Sequence, residues 1–307
     1  MPALPTMPRR VEIVEVGPRD GLQNEPAIVA TADKIAFVER LADAGLPVVE
    51  VSAFVSPKWV PQMADAAEVL AGLARRAGTR YTALVPNARG LERALAAQPS
   101  EVAIFAAASE TFSRRNINQG VDEALRTYAE VCRLALDAGI GVRGYLSTAF
   151  GCPFEGDVAP RRVAEIAARL VDLGVFEVSV SDTIGIAHPG QVPAVVDAVA
   201  SRIGLDRVAL HFHDTRGTAL ANVLAGLIMG VTTYDASAGG LGGCPYAPGA
   251  TGNLATEDLV YCLGGLGIET HVDLAKLTAA SAFIEDKVGH PLPSRYYRAA
   301  RAAQTRG

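Results

Sequence analysis

The sequence predicts an α/β fold, a (β/α)8 TIM barrel with short additional C-terminal helices, on three observations. β-rich runs alternate with helical patterns eight times, helical stretches stop at glycines shortly before the next strand, and no Pro- or Ser-rich linker divides the 307 residues. Eight strand–helix units within about 250 residues are what a closed barrel requires. A doubly wound open sheet uses the same units, so periodicity alone leaves that alternative open. The length would also suit two ordinary domains. The unbroken alternation favours a single catalytic barrel domain over 1–307, with the barrel at about 11–270 and a helical appendix at about 271–307.

The first strand is VEIVEV (11–16). In the helix that follows, Thr31 offers a capping hydroxyl, Ile35, Val38 and Leu41 an inner face, and Gly45 a stop. VVEVSAF (48–54), YTALVP (81–86) and EVAIFAAAS (101–109) are the second to fourth strands. Gly139 ends the helix before VRGYLSTAF (142–150), and Gly174 the one before FEVSVSDT (176–183). VALHFHD (208–214) and TTYDASA (232–238) complete the set. Between them, Gly217 to Tyr234 carries no charge over 18 residues, about the minimum for a membrane span. Gly226 and Gly230 among Asn222, Thr232 and Thr233 make it instead a short helix running into a strand. ATEDLVYCLGGLG (255–267) and VDLAKLTAASAFIEDKVG (272–289) read as the last barrel helix and the appendix, and the tail SRYYRAARAAQTRG (294–307) as frayed.

Composition excludes whole classes. With 50% hydrophobic and 20% charged residues, 30 Gly and 18 Pro, the chain is neither disordered nor collagen-like, and it can bury a large core. A net charge of -5 without any Lys/Arg run gives no footprint for nucleic acid or an anionic membrane. An anionic substrate would therefore need a local basic site or a metal. Cys132, Cys152, Cys244 and Cys262 are widely spaced with no C-x-x-C pair, which predicts a reducing, cytoplasmic setting. The N-terminus MPALPTMPRR has no apolar signal core, so export is not expected.

A barrel builds its active site at the C-terminal ends of its strands. Polar residues gather there: Gly17-Pro18-Arg19-Asp20-Gly21 after strand 1, Glu50 and Ser52 in strand 2, Asp182-Thr183 ending strand 6, and His211, His213 and Asp214 in strand 7. Residues two apart in a strand share a side, so both imidazoles can reach one ion. A carboxylate would complete a divalent-metal site, and barrel closure brings Asp20 near because strands 1 and 7 both flank strand 8. The alternative is two histidines bonded to neighbours in a crowded barrel end. Arg19 and Asp20, being adjacent, are expected to point in different directions, Arg19 toward an oxyanion with Glu50 holding its guanidinium; such a pair can also be purely structural. After strand 8, Gly240-Leu241-Gly242 suggests a dinucleotide fingerprint, but Pro245 at its sixth position and no helix before about Leu254 argue against nucleotide binding. The glycine-rich loop 238–253 either carries Cys244 over the barrel mouth as a lid that delivers an acid/base group, or buries it in a turn.

Several long motifs occur together: VEVGPRDGLQNE within 11–25, FVSPKWVPQM (54–63), Arg114-Arg115-Asn116-Ile117-Asn118, VRGYLS (142–147), GCPFEG (151–156), SDTIG (181–185), HFHDT, the loop around Cys244, and GNLATEDLVY (252–261). From about Val11 to Leu277 the chain resembles the 3-hydroxy-3-methylglutaryl-CoA lyase family. The wider superfamily of barrel enzymes shares the Asp, Arg, Glu and H-x-H set but not the cysteine loop. The resemblance implies divalent-metal-dependent cleavage of (S)-3-hydroxy-3-methylglutaryl-CoA to acetyl-CoA and acetoacetate, in leucine degradation and ketone-body formation. It implies that Asp20, His211, His213 and Asn253 bind Mg2+ or Mn2+, that Arg19, held by Glu50, neutralises the enolate oxygen, and that Cys244 protonates the enolate. It also places Asp182 and Glu257 as acids in the same pocket, and Gln23 as a nearby polar contact to substrate. The acceptor of the hydroxyl proton stays open between Asp20 and a metal-bound His.

The implied partner is an acyl-CoA substrate, and the family expectation is a homodimer. Animal members typically carry Lys at Pro26 and Tyr at Arg216, so contacts to the CoA phosphates are expected to differ. Without a mitochondrial leader, a peroxisomal tripeptide or a tail cysteine, a bacterial, cytoplasmic enzyme is expected. Rival substrates with the same machinery are 3-hydroxy-3-isohexenylglutaryl-CoA and citramalyl-CoA. A Claisen-type synthase would usually need a further C-terminal regulatory domain, for which 307 residues leave little room. A barrel that binds metal and CoA without turnover is disfavoured by the set Arg19, Asp20 and Cys244. Cys132 and Cys262, on helices, read as structural; Cys152, at a strand end, stays open.

Overall fold

The computed structural model describes residues 6–243 and 252–304. Eight strands alternate with helices in the expected order: β1 (Glu12–Glu15), α1 (Thr31–Asp43), β2 (Val48–Ala53), α2 (Ala66–Gly72), β3 (Arg80–Leu84), α3 (Ala88–Ala96), β4 (Glu101–Ala107), α4 (Glu110–Ile117), α5 (Val121–Asp137), β5 (Gly141–Ser147), α6 (Pro160–Asp172), β6 (Glu177–Asp182), α7 (Val192–Ile203), β7 (Val208–Phe212), α8 (Ala219–Ile228), β8 (Thr233–Ala236) and α9 (Thr256–Gly265). Two more helices, α10 (Leu274–Val288) and α11 (Arg295–Gln304), follow. The strands close into a parallel barrel, β1 pairing with β2 on one side and with β8 on the other, from Glu12 opposite Thr233 to Glu15 opposite Ala236. Closure removes the open-sheet alternative.

The helices form because their apolar residues recur at helical spacing and face the strands. In α5, Leu125, Tyr128, Val131, Cys132 and Ala135 are buried; in α6, which begins on Pro160, the buried set is Val163, Ala164, Ile166, Ala167 and Leu170. Gly139 and Gly174 end their helices at φ 75° and 94°, a conformation that favours residues without a Cβ. The uncharged stretch 217–234 splits into α8 and the start of β8, and among the described residues no helix is long and apolar enough to cross a membrane.

Two local expectations fail for tertiary reasons. Thr31 is the first residue of α1 rather than its cap; its hydroxyl donates to Asp65 Oδ2 at 2.7 Å, while Ala30 holds the cap position. Over its described part, Ser294 to Gln304, the tail is not frayed. Asp258 accepts from Ser294 Oγ (2.8 Å) and from the backbone N–H groups of Arg295 (3.1 Å) and Tyr296 (2.7 Å), so a carboxylate from α9 satisfies the first turn of α11. Tyr297 is buried against the core and donates its hydroxyl to Glu285 Oε2 at 2.6 Å. Burial of such a ring stabilises the docked helix by roughly 2 kcal/mol.

The barrel interior is unusually polar. Alternate residues of neighbouring strands, Arg143 and Tyr145 on β5, Ser179 and Ser181 on β6, His211 on β7 and Asp235 on β8, are all buried. Their neighbours Leu146, Val180 and Phe212 join the apolar packing. Charges there need partners, and those partners outline the site.

Candidate active site

The segment after β1 turns sharply: Val16 O accepts from the N–H groups of Arg19 (3.2 Å), Asp20 (2.7 Å) and Gly21 (3.1 Å), giving one wide helical turn over Gly17–Gly21. Glycines frame it because nothing larger fits. A Cβ on Gly17 would lie 2.6 Å from Glu15 Oε1, and one on Gly21 2.8 Å from Ser237 Oγ. The turn corrects the expected divergence of Arg19 and Asp20, which strand geometry would have imposed. Arg19 Nη1 meets Asp20 Oδ1 at 2.7 Å, and Arg19 Nε meets Glu50 Oε2 at 2.6 Å. The guanidinium lies 5.3 Å from the Tyr145 ring centre. Burial works against the Arg19 charge, but Glu50 and Asp20 outweigh it and hold its pKa above the ordinary value. Burial pushes the Glu50 carboxyl up, against the pull of Arg19.

Asp20, His211 and His213 converge, with one ligand atom from each lying within 4.8 Å of the others. His213 stands just beyond β7, where the chain pairs with the far end of the glycine-rich loop: Asp214 N–H donates to Gly252 O and Leu254 N–H to Phe212 O, each at 3.0 Å, placing Asn253 opposite His213. Asn253 Nδ2 donates to Asp20 Oδ2 and to Leu241 O, both at 3.0 Å. Asn253 Oδ1 and His213 Nδ1 are buried without a hydrogen-bond partner among the described residues. Burial opposes the Asp20 charge, yet Arg19 and the two histidines hold its pKa below the usual carboxylate range. Burial, with His211 beside it, pushes His213 down to about 4, so its imidazole is neutral near pH 7. An anionic oxygen, two imidazoles and an unspent amide oxygen make a donor set that suits a divalent cation.

A cleft of about 680 Å3 opens over this cluster and runs from Arg19, Asp20 and His211 past Gln23 to Arg115 and Trp59, whose indole is 83% exposed. The extra helix α4 and its flanks supply part of the wall, including Phe112 and Asn118. Two predicted acids stand apart. Ser181 and Thr183 line the cleft, so alternation turns Asp182 to the other face, where its carboxylate accepts from Ile186 N–H (2.9 Å) and Ala187 N–H (3.1 Å). Glu257 is wholly buried at the start of α9, accepting from Gly239 N–H at 2.9 Å and from the Ser281 hydroxyl. Burial pushes Asp182 up to about 6 and Glu257 to about 7. Both brace loops, which corrects their expected place in the pocket. Arg216 is likewise occupied, donating to Ile184 O (3.0 Å) and Gly185 O (2.8 Å). Cys244 lies outside the described residues, but Gly243, just before it, has its carbonyl held by Asn24 Nδ2 at 3.0 Å beside the cleft. Cys152 is buried, its Sγ 2.9 Å from Ser109 Oγ.

Sequence reasoning passed over Asp235 and Arg143. Arg143 Nη2 pairs with Asp235 Oδ1 at 2.8 Å and Arg143 Nε with Glu177 Oε1 at 2.6 Å, directly beside His211. The signal was present: VRGYLS and TTYDASA each set a charge inside a strand that a barrel buries on both faces.

The family described as HMGL-like matches residues 10–284. The mitochondrial hydroxymethylglutaryl-CoA lyase of Bos taurus is 55% identical over 279 residues, 91% of this chain and 86% of the bovine one. Among solved structures, the HMG-CoA lyase of Bacillus subtilis is similar with a TM-score of 0.95 and 50% identity, over 97% of this chain and 100% of that one. An HMG-CoA lyase from Acinetobacter baumannii, solved in complex with coenzyme A and 3-methylmalate, is similar with a TM-score of 0.91 and 38% identity, over 95% of each chain. The bovine relative, like those of rat and man, is mitochondrial, which overturns the cytoplasmic expectation. Widely spaced cysteines argue only against a disulfide framework, and that does not fix a compartment.

Proposed function

The chain belongs to the HMGL-like family and is a carbon–carbon lyase acting on hydroxymethylglutaryl-CoA, and from that premise we propose that cleavage to acetyl-CoA and acetoacetate takes place at Arg19, Asp20, His211 and His213. The observation that carries this is the turn over Gly17–Gly21, which delivers a paired guanidinium and carboxylate to two buried imidazoles at one end of the barrel. Coenzyme A in the Acinetobacter baumannii complex supports an acyl-CoA substrate here.

The reaction removes the proton of the C3 hydroxyl, breaks the C2–C3 bond, leaves a ketone at C3 and passes the electron pair to the thioester as an enolate, which is then protonated at C2. Asp20, His211, His213 and Asn253 would hold Mg2+ or Mn2+, which when bound lowers the pKa of the substrate hydroxyl and offsets developing negative charge. Asp20 is held as an anion with two carboxylate oxygens and is fit to accept the hydroxyl proton, whereas a His213 that spends its one lone pair on the ion is not. Arg19 is fixed by Glu50 and Tyr145 and lines the cleft as a permanent cation, suited to an enolate or carboxylate oxygen. Gln23, on the same wall, contributes a polar contact. To Cys244 we assign the proton returned to the enolate carbon; that assignment rests on the sequence resemblance.

Acetoacetate release by the purified enzyme with Mn2+ tests the reading. The expected outcome is cleavage of (S)-3-hydroxy-3-methylglutaryl-CoA in preference to 3-hydroxy-3-isohexenylglutaryl-CoA and citramalyl-CoA. Cleavage of either rival alone would sink the substrate assignment while leaving the lyase chemistry standing.

A further inference from the structure

The barrel interior next to the His211 ring holds a second charged assembly to which the lyase chemistry gives no task. We propose that Asp235 is a positioning residue: it fixes His211 with the Nδ1 proton toward the barrel interior and the Nε2 lone pair toward the Asp20–His213 cluster, while Arg143 and Ser179 hold the Asp235 carboxylate in place. The proposal rests on the metal reading given above.

Register sets up the pair. His211 on β7 lies opposite Asp235 on β8, so their side chains leave neighbouring positions on the same face of the sheet. His211 Nδ1 is 3.3 Å from Asp235 Oδ2. The same oxygen accepts from Ser179 Oγ at 2.6 Å, and Oδ1 accepts from Arg143 Nη2 at 2.8 Å. These donors come from β6 and β5, across the barrel, and Arg143 is itself anchored by Glu177 at 2.6 Å. A carboxylate held this way is only an acceptor, so the hydrogen shared with His211 belongs to the imidazole. An imidazole with its proton on Nδ1 carries its lone pair on Nε2, and a carboxylate behind it both orients the ring and makes it a stronger ligand. His213 offers the contrast: its Nδ1 has no partner among the described residues, and backbone pairing with Asn253 locates that residue instead.

A purely structural ion pair would predict something else, because buried pairs can often be exchanged for apolar groups without affecting a neighbouring site. Mn2+ binding to the substrate-free protein, followed by the EPR signal of free Mn2+, separates the two. Asp235→Asn is expected to weaken Mn2+ binding roughly 10- to 100-fold. Ser179→Ala, which keeps the carboxylate and its Arg143 anchor, should weaken it less. In 15N spectra of the histidines, wild-type metal-free protein should show His211 protonated on Nδ1, and Asp235→Asn should shift it toward a tautomer mixture. A proton on Nε2 in the wild type overturns the proposal even where the Asn variant fails to fold, as does a folded Asn variant with wild-type Mn2+ affinity. A wild-type chain that takes up no Mn2+ overturns the metal reading itself, and this proposal with it.

Discussion

Two arginine assemblies share one aromatic ring. Arg19 pairs with Glu50 and Asp20, Arg143 with Glu177 and Asp235, and the Tyr145 ring centre lies 5.3 Å from the first guanidinium and 5.1 Å from the second. Their chemistry is nearly the same, but their position is not. The Asp20 side chain is 24% exposed at the cleft and that of Asp235 is 0% exposed. The comparison teaches that buried charge does not by itself mark a catalytic group. The assembly that opens onto the cleft can meet substrate, and the closed one can act only through a neighbour.

Substitution of the two arginines should break this symmetry. Arg19→Met is expected to lower kcat about 10³-fold in an acetoacetate-release assay, the usual cost of removing a donor aimed at developing negative charge, while Mn2+ binding persists. Retention of kcat would move the electrophilic role off Arg19. Arg143→Met strands Asp235 and Glu177, so its largest effect should be on stability: a loss of about 3–5 kcal/mol in denaturant unfolding, accompanied by weaker Mn2+ binding. If Arg143→Met instead unfolds normally and loses kcat as Arg19→Met does, the two assemblies are not divided as described.

Legibility in the sequence follows the same division. The strands were readable because strand and helix periods differ, and the H-x-H pair because alternate strand residues share a face. The convergence of Arg19 on Asp20 was not, because the turn that produces it depends on Gly17 and Gly21 fitting against Ser237, more than 200 residues away. Asp182 was visible as a charge at a strand end, but its role was decided by one step of parity relative to Ser181. Asp235 became meaningful only once the register set it beside His211. The docked tail is of the same kind, since Asp258 satisfies α11 from another helix and local propensity carries no trace of it.

The smallest expected effect concerns the carboxylates that brace the first turn after β8, one of which, Glu15, also holds Gly17 at the start of the turn that carries Arg19. Glu15 accepts from Gly17 N–H and Ala238 N–H, each at 2.8 Å, and Glu257 accepts from Gly239 N–H, so both hold the first turn after β8. Burial is the main cause that raises each from 4.5 to about 7. Between those values the folded chain binds more protons than the unfolded one, so stability from each group is fully present below about pH 4.5, falls as pH rises, and levels off above about pH 7. At 1.36 kcal/mol per unit, the span per group is about 3 kcal/mol at most. Glu257→Gln removes one titration and leaves that of Glu15, so denaturant unfolding from pH 5 to 8 should show a shallower decline in the variant. An unchanged decline would mean that Glu257 ionises in the folded state as readily as in the unfolded one, and that its contacts with Gly239 and Ser281 offset its burial.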